Sequence, residues 1–304
     1  MHIKRFFGLV KQAVSAWLDD YAPSMGAAIA FYTVFSLAPL VIIVIAVAGF
    51  FWSREAVQGQ LFEQINALVG PDGAKAVESV VQGAQEPTQG MVATIISVIV
   101  LVVGATTVFA ELQSALDRIW RVEAKKQSGI WSMLRARLLS FGLVLALAFL
   151  LMVSLVISTV LGALGSWAAG LLPVWEIMLQ ALNIVITLGI LTLLFAMIYR
   201  FMPQASVAWR DVWTGAFVTA VLFEIGKFLI GLYVGKASVA SSYAAAGSLV
   251  VVLIWVYYAA QVFLLGAEFT WVYANEHGSR RAMSQAGAQP ANALTAEGPP
   301  LPGR

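Results

Sequence analysis

Two ionisable side chains stand in a stretch otherwise apolar enough to cross a bilayer. Glu224 and Lys227 lie three residues apart within Val212–Val234 (VWTGAFVTAVLFEIGKFLIGLYV). A charge at the centre of a membrane helix costs roughly 2.5–3.5 kcal/mol on insertion scales, so such residues face a bundle interior or a water-filled cavity. At i, i+3 the two share a helix face, with Glu on the N-terminal side, which is the favourable order. Two readings follow. Either the pair lines a polar cavity as a solute contact or proton-linked switch, or it neutralises itself so that the helix can insert. The next apolar run places Tyr257, Gln261, Leu264 and Glu268 on one stripe, with Gln261 near mid-depth. Glu224, Lys227, Tyr257 and Gln261 are therefore the expected intramembrane polar site.

A second charged group is expected at the inner surface. Glu111 and Glu268 fall there, on the same side as Arg118, Arg121, Arg200 and Arg210. Structural pairing of these acids and arginines is the expected role. Ser36 and Pro39 fall near the middle of an early apolar run, where Pro removes a backbone hydrogen bond and can kink a helix. Gly226, Gly231 and Gly235 are small residues that allow helices to approach closely. Asn183 is expected to make an interhelical hydrogen bond.

Catalytic chemistry has few parts to work with. Cys is absent, and the two histidines are His2 and His277, near opposite ends of the sequence. Neither a zinc site of several His or Cys ligands nor a thiolate nucleophile can be assembled from these residues. The sequence has no nucleophile–base constellation and no G-x-x-x-x-G-K-[ST] phosphate loop. The expectation is a protein that is not an enzyme, with no cofactor and no metal.

The elements that would position these residues follow from composition. Of 304 residues, 60% are hydrophobic and 11% charged, and mean hydropathy is +0.85. A soluble domain has roughly 45–50% apolar and about 25% charged residues, so the fold class is all-α, a polytopic membrane bundle. A net charge of +2 gives no reason to expect a nucleic-acid partner. Six apolar runs approach the ~20 residues that a bilayer core requires. They lie at about 28–51, 91–110, 138–164, 177–200, 212–234 and 247–272, within a membrane domain at 23–274.

Residues 1–22 place Phe6, Phe7, Val10, Val14, Trp17 and Leu18 at helical spacing among charged residues. That is the pattern of a cytoplasmic amphipathic helix in the membrane interface, or of one packed on the other segments. Residues 52–90 read as an outer helical hairpin, with Gly70-Pro71-Asp72-Gly73 breaking it in two. Residues 275–304 are rich in Ala, Gly, Gln and Pro and are expected to form a disordered cytoplasmic tail. Orientation comes from the cations between spans. Arg54, Lys75 and Lys236 fall on one side and Lys227 within a span, leaving fourteen of the eighteen Lys and Arg on the other. Both termini are therefore expected in the cytoplasm. The helical stretch Glu111–Trp120 is followed by Arg121, Lys125 and Lys126. This either suits anionic lipids of the inner leaflet or is ordinary positive-inside topology.

Several stretches together resemble the YihY/virulence factor BrkB family of bacterial inner-membrane proteins, once labelled ribonuclease BN. They are Ala30–Pro39 (AFYTVFSLAP), Glu111–Trp120 (ELQSALDRIW), Tyr199–Pro203 (YRFMP), Trp209–Ala216 (WRDVWTGA), Phe223–Lys227 (FEIGK), Tyr243–Leu249 (YAAAGSL) and Gly266–Phe269 (GAEF). The resemblance covers roughly residues 20–274. It implies a six-span plasma-membrane protein linked to the envelope and to lipid or small-molecule export. The ribonuclease label has no support in the residues, because two terminal histidines cannot build a His/Asp metal cluster. The expected function is a translocator or exporter of an amphipathic or lipid-like solute. The alternative is a non-transporting scaffold in envelope integrity. Expected partners are membrane lipids, with anionic lipids at the cytoplasmic face, and a second copy or an envelope protein.

Overall fold

A computed structural model describes residues 3–49, 53–85, 107–122, 173–236 and 247–281. The described residues are helical or in the turns between helices. The elements are α1 (Ile3–Asp19), α2 (Ala22–Ala48), α3 (Arg54–Gln85), α4 (107–119), α5 (Pro173–Phe201), α6 (Trp209–Lys236) and α7 (Gly247–Glu276). Three stretches are long and apolar enough to cross a membrane: Met178–Phe201, Trp209–Leu229 and Val250–Glu276. These correspond to the last three of the six expected spans. The first, 28–51, falls on α2, which starts earlier, at Ala22. Residues 91–106 of the second and all of the third, 138–164, lie outside the described residues.

Helix α7 is the common wall of three apolar clusters. Ala260, Phe263, Leu264 and Ala267 pack with Leu116 and Ile119 of α4, Ala196 and Tyr199 of α5, and Ala216 and Ala220 of α6. Val252 and Val256 pack with Ala30, Val41 and Ile45 of α2 and with Val77 and Val81 of α3. Phe269 and Val272 pack with Leu9 and Ala13 of α1. A helix apolar all round tends to be packed on several sides, and α7 is, with Leu253 and Tyr257 left exposed.

Helix ends are set by local chemistry. Asp20 N–H donates to Ala16 O at 2.8 Å, and Tyr21 then turns the chain at φ 57° into α2. Helix α4 ends similarly: Val122 N–H reaches Asp117 O at 2.9 Å, and Arg121 adopts φ 51°. That left-handed position usually belongs to Gly. Pro23 sits in the first turn of α2 and Pro173 starts α5, where a missing N–H costs no helical bond.

Two expectations are corrected. Helix α3 runs unbroken from Arg54 to Gln85 through Gly70-Pro71-Asp72-Gly73, where the sequence predicts a break between two short helices. A lone Pro removes one donor, and a helix with other contacts can absorb that as a kink. Here Leu61 and Phe62 before the Pro and Val77 and Val81 after it all pack in the same cluster. The tail expected to be disordered from Asn275 is folded as far as Arg281. His277 and Gly278 N–H both donate to Tyr273 O at 2.9 Å, closing the end of α7.

Candidate functional site

Glu224 and Lys227 meet as the sequence predicts. Lys227 Nζ lies 2.8 Å from Glu224 Oε2 and 2.9 Å from Oε1. The pair is not sealed into the core: 31% of the Glu224 side chain and 35% of the Lys227 side chain remain exposed. Phe217 and Phe228, seven residues before and four after Glu224, share its side of α6 and are exposed. The opposite flank of α6 is tightly packed. A Cβ on Gly226 would run into the Tyr258 ring, and Tyr258 Oη donates to Leu222 O at 3.3 Å.

The other two expected site residues go elsewhere. Tyr257 is exposed, and it is its neighbour Tyr258 that reaches α6. Gln261 turns towards α2: its Nε2 donates to Pro23 O at 3.4 Å, and it fills the space left by Gly26. Gln261 Oε1 is buried without a partner among the described residues. A one-helix stripe says which residues share a face, and only packing decides which neighbour that face meets.

Between α5, α6 and α7 lies a buried polar crossing that periodicity does not reveal. The Tyr199 hydroxyl donates to Phe263 O at 2.7 Å and lies 3.1 Å from Thr219 Oγ1. Thr219 donates to Gly215 O at 2.8 Å, and Thr270 to Gly266 O at 2.7 Å. Any side chain on Gly215 would strike Thr270, and any on Gly266 would strike Thr219 and Tyr199. Gly215 and Thr219 are small residues of α6, but the partners that they meet, Thr270 and Tyr199, sit on other helices. Tyr199→Phe should lower stability by about 1 kcal/mol, the net worth of a typical hydrogen bond. Thermal unfolding in detergent measures it.

The remaining packing residues are partly described. Ser36 is buried, with its hydroxyl on Thr33 O at 3.2 Å. Pro39 falls within α2, and Gly231 and Gly235 within α6, with their surroundings outside the described residues. Asn183 Oδ1 is buried and, among the described residues, has no hydrogen-bond partner.

At one end of the bundle the corner between α1 and α2, the end of α4, the α5–α6 connection and the end of α7 converge. Here the expected acid–arginine pairing is replaced by stacking on rings. The guanidinium of Arg118 lies 5.6 Å from the centre of the Tyr21 ring, and that of Arg121 lies 4.4 Å from Trp271. Arg200 lies 5.9 Å over Trp209, and Arg280 lies 4.9 Å over Trp120. Arg210 is exposed and Glu111 half-buried. Glu268 is 0% exposed, and among the described residues neither carboxylate oxygen is in hydrogen-bonding geometry. The charged groups close enough to act on it are Asp20, Arg121 and Asp19.

Two acids absent from the expected site carry the connections at this end. Asp117 Oδ1 accepts the Gln204 N–H at 2.7 Å. Burial pushes the Asp117 carboxyl above the usual carboxylate range, against the lowering effect of that N–H. Asp211, buried in the first turn of α6, accepts the Ser279 hydroxyl at 2.6 Å and the Ser279 N–H at 3.1 Å. Gly278 leaves room for this carboxylate. Asp211→Ala should cost about 1–3 kcal/mol, because it strands a backbone donor at a helix end. Faster amide exchange at Ser279 than elsewhere would report it.

With this geometry in place, the chain can be compared with known proteins. Residues 13–290 match the virulence factor BrkB family. The chain belongs to that family. A UPF0761 membrane protein of Ralstonia nicotianae is 28% identical over 274 residues, covering 88% of this chain and 58% of the relative. One from Stenotrophomonas maltophilia is 29% identical over 257 residues, covering 84% and 58%. One from Xanthomonas campestris is 27% identical over 254 residues, covering 83% and 57%. The chain thus spans under three-fifths of the length of these relatives. No solved structure matches it. As a member of the BrkB family with three helices able to span a bilayer, the chain is a membrane protein.

Proposed function

We propose that this BrkB-family protein is a six-span inner-membrane translocator with both termini cytoplasmic, carrying an amphipathic or lipid-like solute past Glu224–Lys227. The observation that carries the proposal is the half-open state of the pair. A charged pair within an apolar helix, with about a third of each side chain uncovered, requires polar surroundings or a polar visitor. Phe217 and Phe228 beside it supply apolar surface for the rest of an amphipathic solute. The proposal includes no covalent step and no cofactor.

The test is flux in proteoliposomes carrying a lipid with a fluorescent headgroup, read by the fraction that an impermeant reductant can bleach. The wild-type protein should exceed protein-free vesicles, and Glu224→Gln with Lys227→Met should fall to their level while remaining folded. Equal rates for wild-type and empty vesicles contradict transport of a lipid-like solute. The alternative, a non-transporting scaffold in envelope integrity, draws on the mutual neutralisation of Glu224 and Lys227. On that reading the double variant is folded and fully functional.

A further inference from the structure

Helix α1 has two apolar faces, and among the described residues only one of them is packed. Leu9 and Ala13 pack on Phe269 and Val272 of α7. Phe7, Val14 and Leu18 of α1 are spaced seven and four residues apart and so form a separate stripe, and Tyr21 follows in the turn beyond the end of the helix. All four are exposed, Phe7 at 73% and Tyr21 at 64%. Lys11, also exposed, falls within that stripe.

The stripe leads to a cationic end. Tyr21 is the ring beneath the guanidinium of Arg118, and Arg121 follows three residues later on Trp271. Both arginines are exposed, and among the described residues neither has a carboxylate within ion-pair distance. A ring contact takes up none of the N–H donors of a guanidinium, and among the described residues neither arginine donates a side-chain hydrogen bond. Those donors form a fork that matches two oxygens of a phosphate. The positive φ of Arg121, 51°, is uncommon for a residue other than Gly, and it fixes the turn from which the side chain reaches Trp271.

We propose that the α1 stripe, with Arg118 and Arg121, is a docking site for one anionic glycerophospholipid. An acyl chain lies along the stripe and the phosphate takes the free edges of the two guanidiniums. Charge complementarity selects this occupant: a long apolar face with an exposed Lys in it ends at two exposed arginines that, among the described residues, have no carboxylate within ion-pair distance. The site lies apart from Glu224–Lys227 and holds whether or not the protein moves a solute.

The full chain in non-ionic detergent, titrated with phosphatidylglycerol, phosphatidylcholine or glycerol phosphate, tests this by native mass spectrometry. Phosphatidylglycerol should be retained in preference to phosphatidylcholine. Arg118→Gln and Arg121→Gln should each weaken phosphatidylglycerol about fivefold and leave phosphatidylcholine unchanged. Leu18→Ser should weaken both lipids. Arg118→Lys should restore part of the preference, since an ammonium keeps the charge and loses the fork. These positions are exposed, and circular dichroism of each variant should match the wild type. Equal retention of the two lipids, or a preference untouched by the arginine substitutions, overturns the proposal. Competition by glycerol phosphate as strong as by the lipid would assign the arginines to a free anion and overturn it too. A dimer that Leu18→Ser abolishes would assign the stripe to a second copy and would equally overturn lipid docking there.

Discussion

Glu224→Gln alone should destabilise the protein by about 3 kcal/mol, the scale of an uncompensated charge at mid-membrane. Glu224→Gln combined with Lys227→Met should recover most of that loss. The single variant leaves an ammonium inside an apolar helix with no carboxylate 2.8 Å away, whereas the double variant leaves no charge at all. Removing one partner of such a pair is worse than removing both. Because each side chain is about one-third exposed, water or detergent will offset part of the penalty. The order of the two variants, read from thermal unfolding in detergent, is therefore the firm expectation. A double variant as unstable as the single would mean that the charges hold something besides each other.

Gly266→Leu should be the most damaging single change among the described glycines. Overpacking a dense core costs about 1–3 kcal/mol and occasionally more. At Gly266 the intruding carbon meets Thr219 and Tyr199 together, and both are fully buried. Neither can move without giving up a hydrogen bond, since Tyr199 holds Phe263 O and Thr219 holds Gly215 O. The expected loss is about 3 kcal/mol or more, enough to abolish a well-ordered bundle. Gly189→Leu is the control: a Cβ there meets nothing within 4 Å, so stability should be unchanged. Yield of folded protein by size exclusion compares the two.

The sequence makes some of this legible and leaves the rest open, for physical reasons. Hydropathy locates α5, α6 and α7, because bilayer thickness sets a length that composition can be measured against. The Glu224–Lys227 pair is legible because its partners lie on one helix, where spacing alone fixes geometry. Tyr257 and Gln261 are misplaced by the sequence for the converse reason. Their partners lie on other helices, and a stripe on α7 does not say that Gln261 meets Pro23 while Tyr258 meets Gly226. The arginines fall at the expected end but with other partners. Charge counting favours acids, but Tyr21, Trp271, Trp209 and Trp120 offer faces at 4.4–5.9 Å. The ordered stretch to Arg281 is hidden because composition cannot see that Ser279 is held by Asp211, 68 residues away.

The most direct measurement uses the absence of native cysteine. Single cysteines replace Phe217 and Phe228, on the Glu224 side of α6, and Leu229 and Ala216 as controls. Leu229 is exposed away from Glu224, and Ala216 is buried. Each variant is exposed to a membrane-impermeant maleimide in intact membranes, and again after denaturation. If the ion pair borders a water-filled path, Phe217→Cys and Phe228→Cys label in the intact membrane and both controls label only after denaturation. Silence at positions 217 and 228 before denaturation, with full labelling afterwards, would contradict a polar path at Glu224–Lys227.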